Sequence, residues 1–157
     1  MKLLVLSDSH GNVDNMLRAV ELTAPDRIVH LGDGWRDAEE LHARYPALPL
    51  ERVPGNCDYG CRDEAQERIL LLGGKRILLC HGHTLRVKSG LLTAYYTAQE
   101  RQVDALLFGH THEPYIDERG GTIFLNPGSI GAHYRPTYAT LELRDGQCIP
   151  ATFVLDT

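Results

Sequence analysis

Apolar residues in this chain come in short runs that stop abruptly at polar loops. Lys2 to Leu6 is such a run, ending at Ser7-Asp8-Ser9-His10-Gly11, and it reads as a buried strand delivering a loop. From Asn12 to Ala24 the spacing changes: Val13, Met16, Leu17, Val20 and Leu22 recur at close to helical period. Asn12 is placed to cap this helix and Pro25 to close it. A second strand over Arg27 to Leu31 runs into Gly32-Asp33-Gly34, and residues Arg36 to Arg44 read as helix. A third strand, Leu50 to Val53, delivers Pro54-Gly55-Asn56-Cys57-Asp58. Glu67 to Leu72 and Arg76 to Cys80 flank Gly73-Gly74, whose tolerance of positive φ suits a two-residue hairpin turn. The second arm ends at His81-Gly82-His83. Ser89 to Gln102 reads as helix, and Asp104 to Phe108 as a strand ending in Gly109-His110-Thr111-His112. Strands dominate from Tyr115 onward, with turns at Arg119-Gly120-Gly121 and Asp145-Gly146. The pattern is βαβ units first and hairpins later, an α/β chain. No repeat or linker interrupts it, so residues 1–157 read as a single domain.

Composition narrows the function classes. A net charge of −5 and an isoelectric point near 5.9 lack the basic face that a stable nucleic-acid partner requires. They leave room for a small nucleotide substrate, because bound metal ions supply local positive charge. The apolar run at the N-terminus is too short for a signal sequence or a membrane span. Cys57, Cys61, Cys80 and Cys148 form no C-x-x-C pair. Reduced thiols in a cytoplasmic protein without a membrane partner are expected.

The candidate chemistry lies at the strand ends. Five apolar strands each finish in a short loop rich in Asp, His, Asn and Gly, and in α/β sheets ligands bind outside the carboxyl ends of strands. Taken singly, Asp8-x-His10, Gly32-Asp33 and Gly55-Asn56-Cys57-Asp58 are ordinary turn chemistry. The histidine pairs His81-Gly82-His83 and His110-Thr111-His112 are less ordinary. The ordered set D-x-H, G-D, G-N-x-D, H and G-H-x-H, each closing a strand, is not explained by turns. Mixed carboxylate, imidazole and amide-oxygen donors suit divalent cations such as Mn²⁺, Fe²⁺, Ni²⁺ or Zn²⁺. No G-x-S-x-G elbow supplies an enzyme nucleophile.

This ordered set resembles the calcineurin-like metallophosphoesterase superfamily. With G-N-C-D where larger relatives have G-N-H-D or G-N-H-E, it looks like the small bacterial and archaeal phosphodiesterase branch. The likeness runs from Lys2 to about Gly131 and includes Asn126-Pro127-Gly128-Ser129. It implies two mixed β-sheets packed as a sandwich with flanking helices, an α/β/β/α arrangement. It also implies two divalent metal ions, Mn²⁺ first among them. Asp8, His10 and His112 would hold one, Asn56, His81 and His110 the other, and Asp33 would bridge them. Two such ions about 3.5–4 Å apart supply a bridging hydroxide for in-line attack and clamp the phosphoryl oxygens. The implied substrate is a small phosphate ester, a phosphodiester of nucleotide or cyclic-nucleotide type. Asp33, Asn56, Asp58 and His83 would act in the chemistry.

Cys57 departs from the larger relatives, which carry a His there to assist the leaving group. A thiol is a poor acid beside an imidazolium, so a preference for good leaving groups follows, or another acid. His83 and His133 are candidates for that acid, and Asp58 for orienting His81 or another ligand. His30 reads as a sheet histidine and His42 as a helix-surface one. Trp35 reads as packing its loop, with stacking on a base as the alternative. Tyr95 and Tyr96 read as packing residues, and Arg135 as a solvated loop arginine. Two other functions fit the same resemblance. One is a phosphomonoesterase acting on a small metabolite or phosphoprotein. The other is a non-catalytic scaffold like the retromer subunit of this superfamily, which lacks several of the histidines present here.

Overall fold

Leu3, Leu4, Val5 and Leu6 are all buried, yet they serve two different cores. In the computed structural model, which describes residues 1–156, they form strand β1 (Lys2–Leu6). Leu3 and Val5 face a cluster with Ile77, Leu79, Leu107 and Leu125, whereas Leu4 and Leu6 face Met16, Ala19, Val20 and Leu41. Side chains alternate across a strand, so a strand sandwiched on both faces must be apolar at every position. A one-residue slip would exchange the two cores, which fixes the register.

The remaining elements are α1 (Val13–Thr23), β2 (Arg27–His30), α2 (Trp35–Arg44), β3 (Leu50–Arg52), β4 (Glu67–Leu72), β5 (Lys75–Cys80), α3 (Leu92–Arg101), β6 (Ala105–Leu107), β7 (Pro114–Arg119), β8 (Thr122–Pro127), β9 (Thr137–Arg144) and β10 (Gln147–Val154). Two mixed five-stranded sheets result, in the orders β10-β9-β1-β2-β3 and β4-β5-β6-β8-β7. Their inner faces share one cluster drawn from β1, β2, β5, β6, β8 and β9. Helices α1 and α2 cover the outer face of the first sheet, and α3 covers that of the second through Ala94 and Ala98. The expected α/β/β/α sandwich is present. The strands β1, β2 and β3 are mutually parallel, as are β5, β6 and β8.

Local signals act as read. Asn12 accepts from the amide of Asn15 at 3.0 Å, and Ala24 ends α1 in a left-handed conformation before Pro25. One helix starts later than its sequence suggests. Ser89 lies in the second of two single-turn 3₁₀ helices, His83–Leu85 and Val87–Ser89, and α3 begins only at Leu92. Arg86 at φ 52° and Gly90 at φ 131° break the backbone on either side of the second turn. No helix among the described residues is long and apolar enough to cross a membrane, and all four cysteines are free.

Candidate metal centre

The loops after β1, β2, β3, β5 and β6 meet above the sandwich. Asp8 and His10 follow β1, Asp33 follows β2, Asn56 follows β3, His81 follows β5, and His110 and His112 follow β6. Backbone bonds tie the loops together: the Asp8 amide donates to Gly32 O at 2.9 Å, His10 to Asp33 O at 3.1 Å, and Gly109 to His81 O at 2.8 Å. Ten described non-glycine residues have positive φ, and five of them are candidate ligands: Asp8, His10, Asp33, His110 and His112. Asp and His are among the side chains that enter this region most readily, and such backbone strain concentrates at functional sites. Close approach also requires glycine at position 32, at φ 110°, where a Cβ would lie 2.7 Å from His81 Nδ1.

Polar atoms converge here without pairing off. Asp8 is fully buried, and its Oδ1 has no hydrogen-bond donor. Its other oxygen accepts from Ser7 Oγ at 2.6 Å and from the His110 amide at 3.1 Å. Around the orphaned Oδ1 stand His112 Nε2 at 3.1 Å, His10 Nε2 at 3.8 Å and His81 Nε2 at 3.8 Å. Asp33 divides its oxygens similarly. Oδ1 accepts the Cys57 amide at 2.8 Å, while Oδ2 lies 3.4 Å from His81 Nε2 and 3.7 Å from His10 Nε2. His110 Nδ1 faces His81 Nε2 at 3.2 Å. Asn56 stands exposed on the rim, its amide nitrogen 3.6 Å from Cys57 Sγ. Two overlapping donor sets emerge, Asp8 with His10 and His112, and Asp8 with Asp33 and His81. Asp8 is therefore common to both, where the resemblance had only Asp33 shared.

An uncompensated carboxylate oxygen inside a protein costs several kcal/mol. Burial alone would keep His81 neutral. The hydrogen bond to Asp33 and the charges of Asp8 and Asp33 outweigh it and raise its pKa. Burial likewise opposes ionisation of Asp33, but the bond and charge of His81 leave its pKa depressed. His110 is pushed down to about 4 by burial and by the charge on His81. The centre attracts positive charge, and its imidazoles compete for it. Divalent cations fit this donor set, since ligand atoms bound at about 2.0–2.2 Å sit roughly 3–3.5 Å from one another.

The residues that position these ligands are only partly those expected. His81 is held through Nδ1 by the carbonyl of Leu31 at 2.8 Å, not by Asp58. The Asp58 carboxylate instead accepts four backbone amides, from Asp33 (2.8 Å), Gly55 (2.7 Å), Gly34 (3.0 Å) and Trp35 (3.0 Å). A carboxylate has lone pairs for four donors, and none remains for an imidazole. Ser7, unremarked beside Asp8, and Asn126, which donates to Gly109 O at 3.1 Å and Thr111 Oγ1 at 2.9 Å, complete the support. Adjacency to a ligand was the only sequence signal for Ser7, and the Asn-Pro-Gly-Ser segment the only one for Asn126.

His83 packs behind His81 and His110, with ring centroids 5.4 Å and 6.1 Å away. Its buried Nδ1 has no partner, and burial followed by the charge of His81 lowers its pKa. His133 is exposed beside His10 on a cleft wall. Burial, then the charge of Asp33, raises the Cys57 thiol. His30 is a satisfied buried sheet histidine, as read, and His42 is exposed. Tyr95 packs edge-on against Phe124, whereas Tyr96 is exposed rather than packed. Arg135 is an exposed loop residue.

Sandwich topology and an acidic-histidine cluster at the strand ends together define a metallophosphoesterase-type fold and site. Residues 1–146 match the calcineurin-like phosphoesterase superfamily domain, and the chain belongs to that family. It is similar to the probable metallophosphoesterase YsnB of Bacillus subtilis, at 38% identity over 83% of this chain and 75% of that protein. It is also similar to the phosphodiesterase YfcE of Escherichia coli K12, at 34% identity over 83% of this chain and 79% of that protein. Among solved structures, a predicted phosphoesterase from Streptococcus pneumoniae superposes with a TM-score of 0.79 at 28% identity, over 98% of this chain and 88% of the other. These relatives place the chain with the small YfcE- and YsnB-like phosphoesterases.

Proposed function

We propose that the chain, acting as one domain, is a metal-dependent phosphoesterase that hydrolyses a phosphodiester. The observation that carries this reading is the buried, unpartnered Asp8 Oδ1 ringed by three imidazole nitrogens. Asp8, His10 and His112 would hold one divalent cation and Asn56, His81 and His110 the second, with Asp33 shared by the two sets and Mn²⁺ the preferred metal. When bound, such cations would supply Lewis acidity toward phosphoryl oxygens and lower the pKa of water. The chain does the rest. The Cys57 amide fixes Asp33 through Oδ1 and leaves Oδ2 free toward His10 and His81. The Leu31 carbonyl fixes the tautomer of His81, directing Nε2 into the centre. His83 and His133 remain the residues for proton transfer to the leaving oxygen. With Cys57 in the G-N-C-D loop, activated diesters are the favoured substrates. The small YfcE-named phosphodiesterase relative supports diesters over monoesters.

Purified protein loaded with Mn²⁺ and offered phosphomonoesters, linear diesters and cyclic nucleotides should hydrolyse diesters best and lose activity with chelator. Full diesterase turnover in metal-stripped protein with excess chelator present would refute this reading. Preferential turnover of monoesters would transfer the chain to the monoesterase class.

A further inference from the structure

Two clefts meet at His10. One, of about 610 Å³, runs from His10 and Asp33 past Trp35 and Arg36 to Tyr59. The other, of about 550 Å³, leads from His10 and Asn12 past Glu40 to His133. They share only His10 and Gly11; otherwise the first is walled by the β3–β4 loop and the start of α2, the second by the start of α1, Glu40 of α2 and the loop bearing His133. Both volumes fall in the roughly 300–1,000 Å³ range of small-molecule sites. A phosphomonoester has one substituent to house, and in a cyclic nucleotide both ester oxygens belong to one sugar. A linear diester has two separate arms.

We infer that the larger cleft is a base-stacking subsite, so that the substrate is a linear phosphodiester with one nucleoside-like arm lying along Trp35 and Tyr59. This rests on the phosphodiesterase reading above. The second arm lies toward His133.

The indole of Trp35 is held in place before any ligand arrives. Arg52 lies 3.7 Å over the Trp35 ring, and its Nη1 donates to the Trp35 carbonyl at 2.6 Å. Arg52 is absent from the cleft wall, so it backs the indole without filling the cleft. Tyr59 is 88% exposed, a large ring that the core does not use. Its neighbour Asp58 binds the amides of Asp33, Gly34 and Trp35, so one carboxylate fastens the loop bearing Tyr59 to the turn bearing Trp35. Rigid aromatic side chains lose little entropy on binding, and stacking accepts every base because each has a π-face. The charged residues lining the same cleft are Arg36 against Asp33, Asp37, Glu39 and Asp58. Their excess of negative charge disfavours an arm carrying further phosphate and favours an uncharged nucleoside.

Trp35 is the only tryptophan in the chain, so its fluorescence reports directly on this cleft. Thymidine 5′-monophosphate added to Mn²⁺-loaded protein should quench it saturably, whereas inorganic phosphate should not, and Tyr59→Leu should weaken the quench. In turnover, thymidine p-nitrophenyl phosphate should show a KM at least about ten-fold below that of methyl p-nitrophenyl phosphate, in line with stacking on aromatic side chains. Trp35→Leu and Tyr59→Leu should each narrow that gap. Tyr59 is exposed, so its variant tests the idea without risk to folding. Equal KM values for the two diesters, together with equal quenching by the nucleotide and phosphate, would overturn the subsite. Nucleotide quenching without hydrolysis of either diester would sink the phosphodiesterase reading and leave the cleft standing.

Discussion

Asp33 is the proposed shared carboxylate of the centre, and its Oδ2 lies 3.7 Å from His10 Nε2 and 3.4 Å from His81 Nε2. Asp33→Asn keeps the shape and removes the charge. The rate on a diester should fall at least about 10³-fold, or about 4 kcal/mol of transition-state stabilisation. His42→Ala, on the exposed face of α2, should leave kcat/KM unchanged. Equal behaviour of the two variants in steady-state kinetics would remove Asp33 from the centre. Cys57 gives a second test at this scale. Desolvation and the nearby Asp33 push its thiol pKa up, and a thiol is a poor general acid at neutral pH. Diesters with phenolate leaving groups should therefore be hydrolysed far better than alkyl ones, since general acid catalysis contributes about 10²–10⁴-fold when the leaving oxygen is basic. Cys57→Ser should leave activated diesters almost untouched. Loss of that activity with both metals still bound would make the thiol a participant.

At the scale of elements, Asp58 joins the β3–β4 loop to the start of α2. Helix α2 opens at Gly34 without a side-chain cap of its own, and Asp58 Oδ1 supplies one across the gap to Gly34 and Trp35. Asp58→Asn would turn an NH₂ toward amides that need an acceptor. Hydrogen bonds to charged groups are worth about 1.5–3 kcal/mol. At roughly 2–4 °C per kcal/mol for a chain of this size, thermal unfolding should drop by about 5–10 °C. Mn²⁺ affinity by calorimetry should fall with it, because the Asp33 amide rests on the same carboxylate; an unchanged melting temperature would show that the loop stands without Asp58. The sequence marked Asp58 as a residue orienting a ligand but not its partners, which are backbone amides up to 25 residues away. What was legible had a local signature. Apolar runs marked β1, β2, β5 and β6, and Gly73-Gly74 and Asp145-Gly146 supplied the positive φ of their turns. The ordered Asp, Asn and His motifs marked the loops that converge. The pairing of two sheets face to face was not legible from periodicity, because Leu3 to Leu6 are buried on both sides and show no alternation. It came from the family resemblance. Helix α3 starts later than its composition suggests because Arg86 and Gly90 break the backbone within a stretch of otherwise helical character.

For the molecule as a whole, the loops at one end of the sandwich depend on buried polar bridges as well as on the apolar layers below them. His30 in β2 is one such bridge and is fully buried. Its Nδ1 accepts the Gly32 amide at 3.1 Å, which places the proton on Nε2, directed to Ser9 Oγ at 2.9 Å. Ser9 in turn donates to Asp37 of α2 at 2.7 Å. The neutral ring is thus fully satisfied, and a second proton on Nδ1 would confront an N–H donor. Burial pushes its pKa down to about 4, against the attraction of Asp8, Asp58 and Asp37. The sign of the pH dependence follows. Above the unfolded value of about 6.5 the ring is neutral in both states, and no stability is lost. As pH falls below that value the unfolded chain takes up a proton that the native chain refuses, so stability declines until the native ring also protonates near pH 4. The slope is about 1.4 kcal/mol per pH unit, and the loss over the window about 3 kcal/mol. Urea unfolding of metal-free protein at several pH values from 7 to 4, run beside His30→Gln, isolates this contribution. The variant should start less stable at pH 7 and lose stability less steeply on acidification. Parallel curves for the two proteins would show that His30 takes up its proton as readily in the fold as outside it, and the bridge through Ser9 to Asp37 would then not depend on the neutral ring.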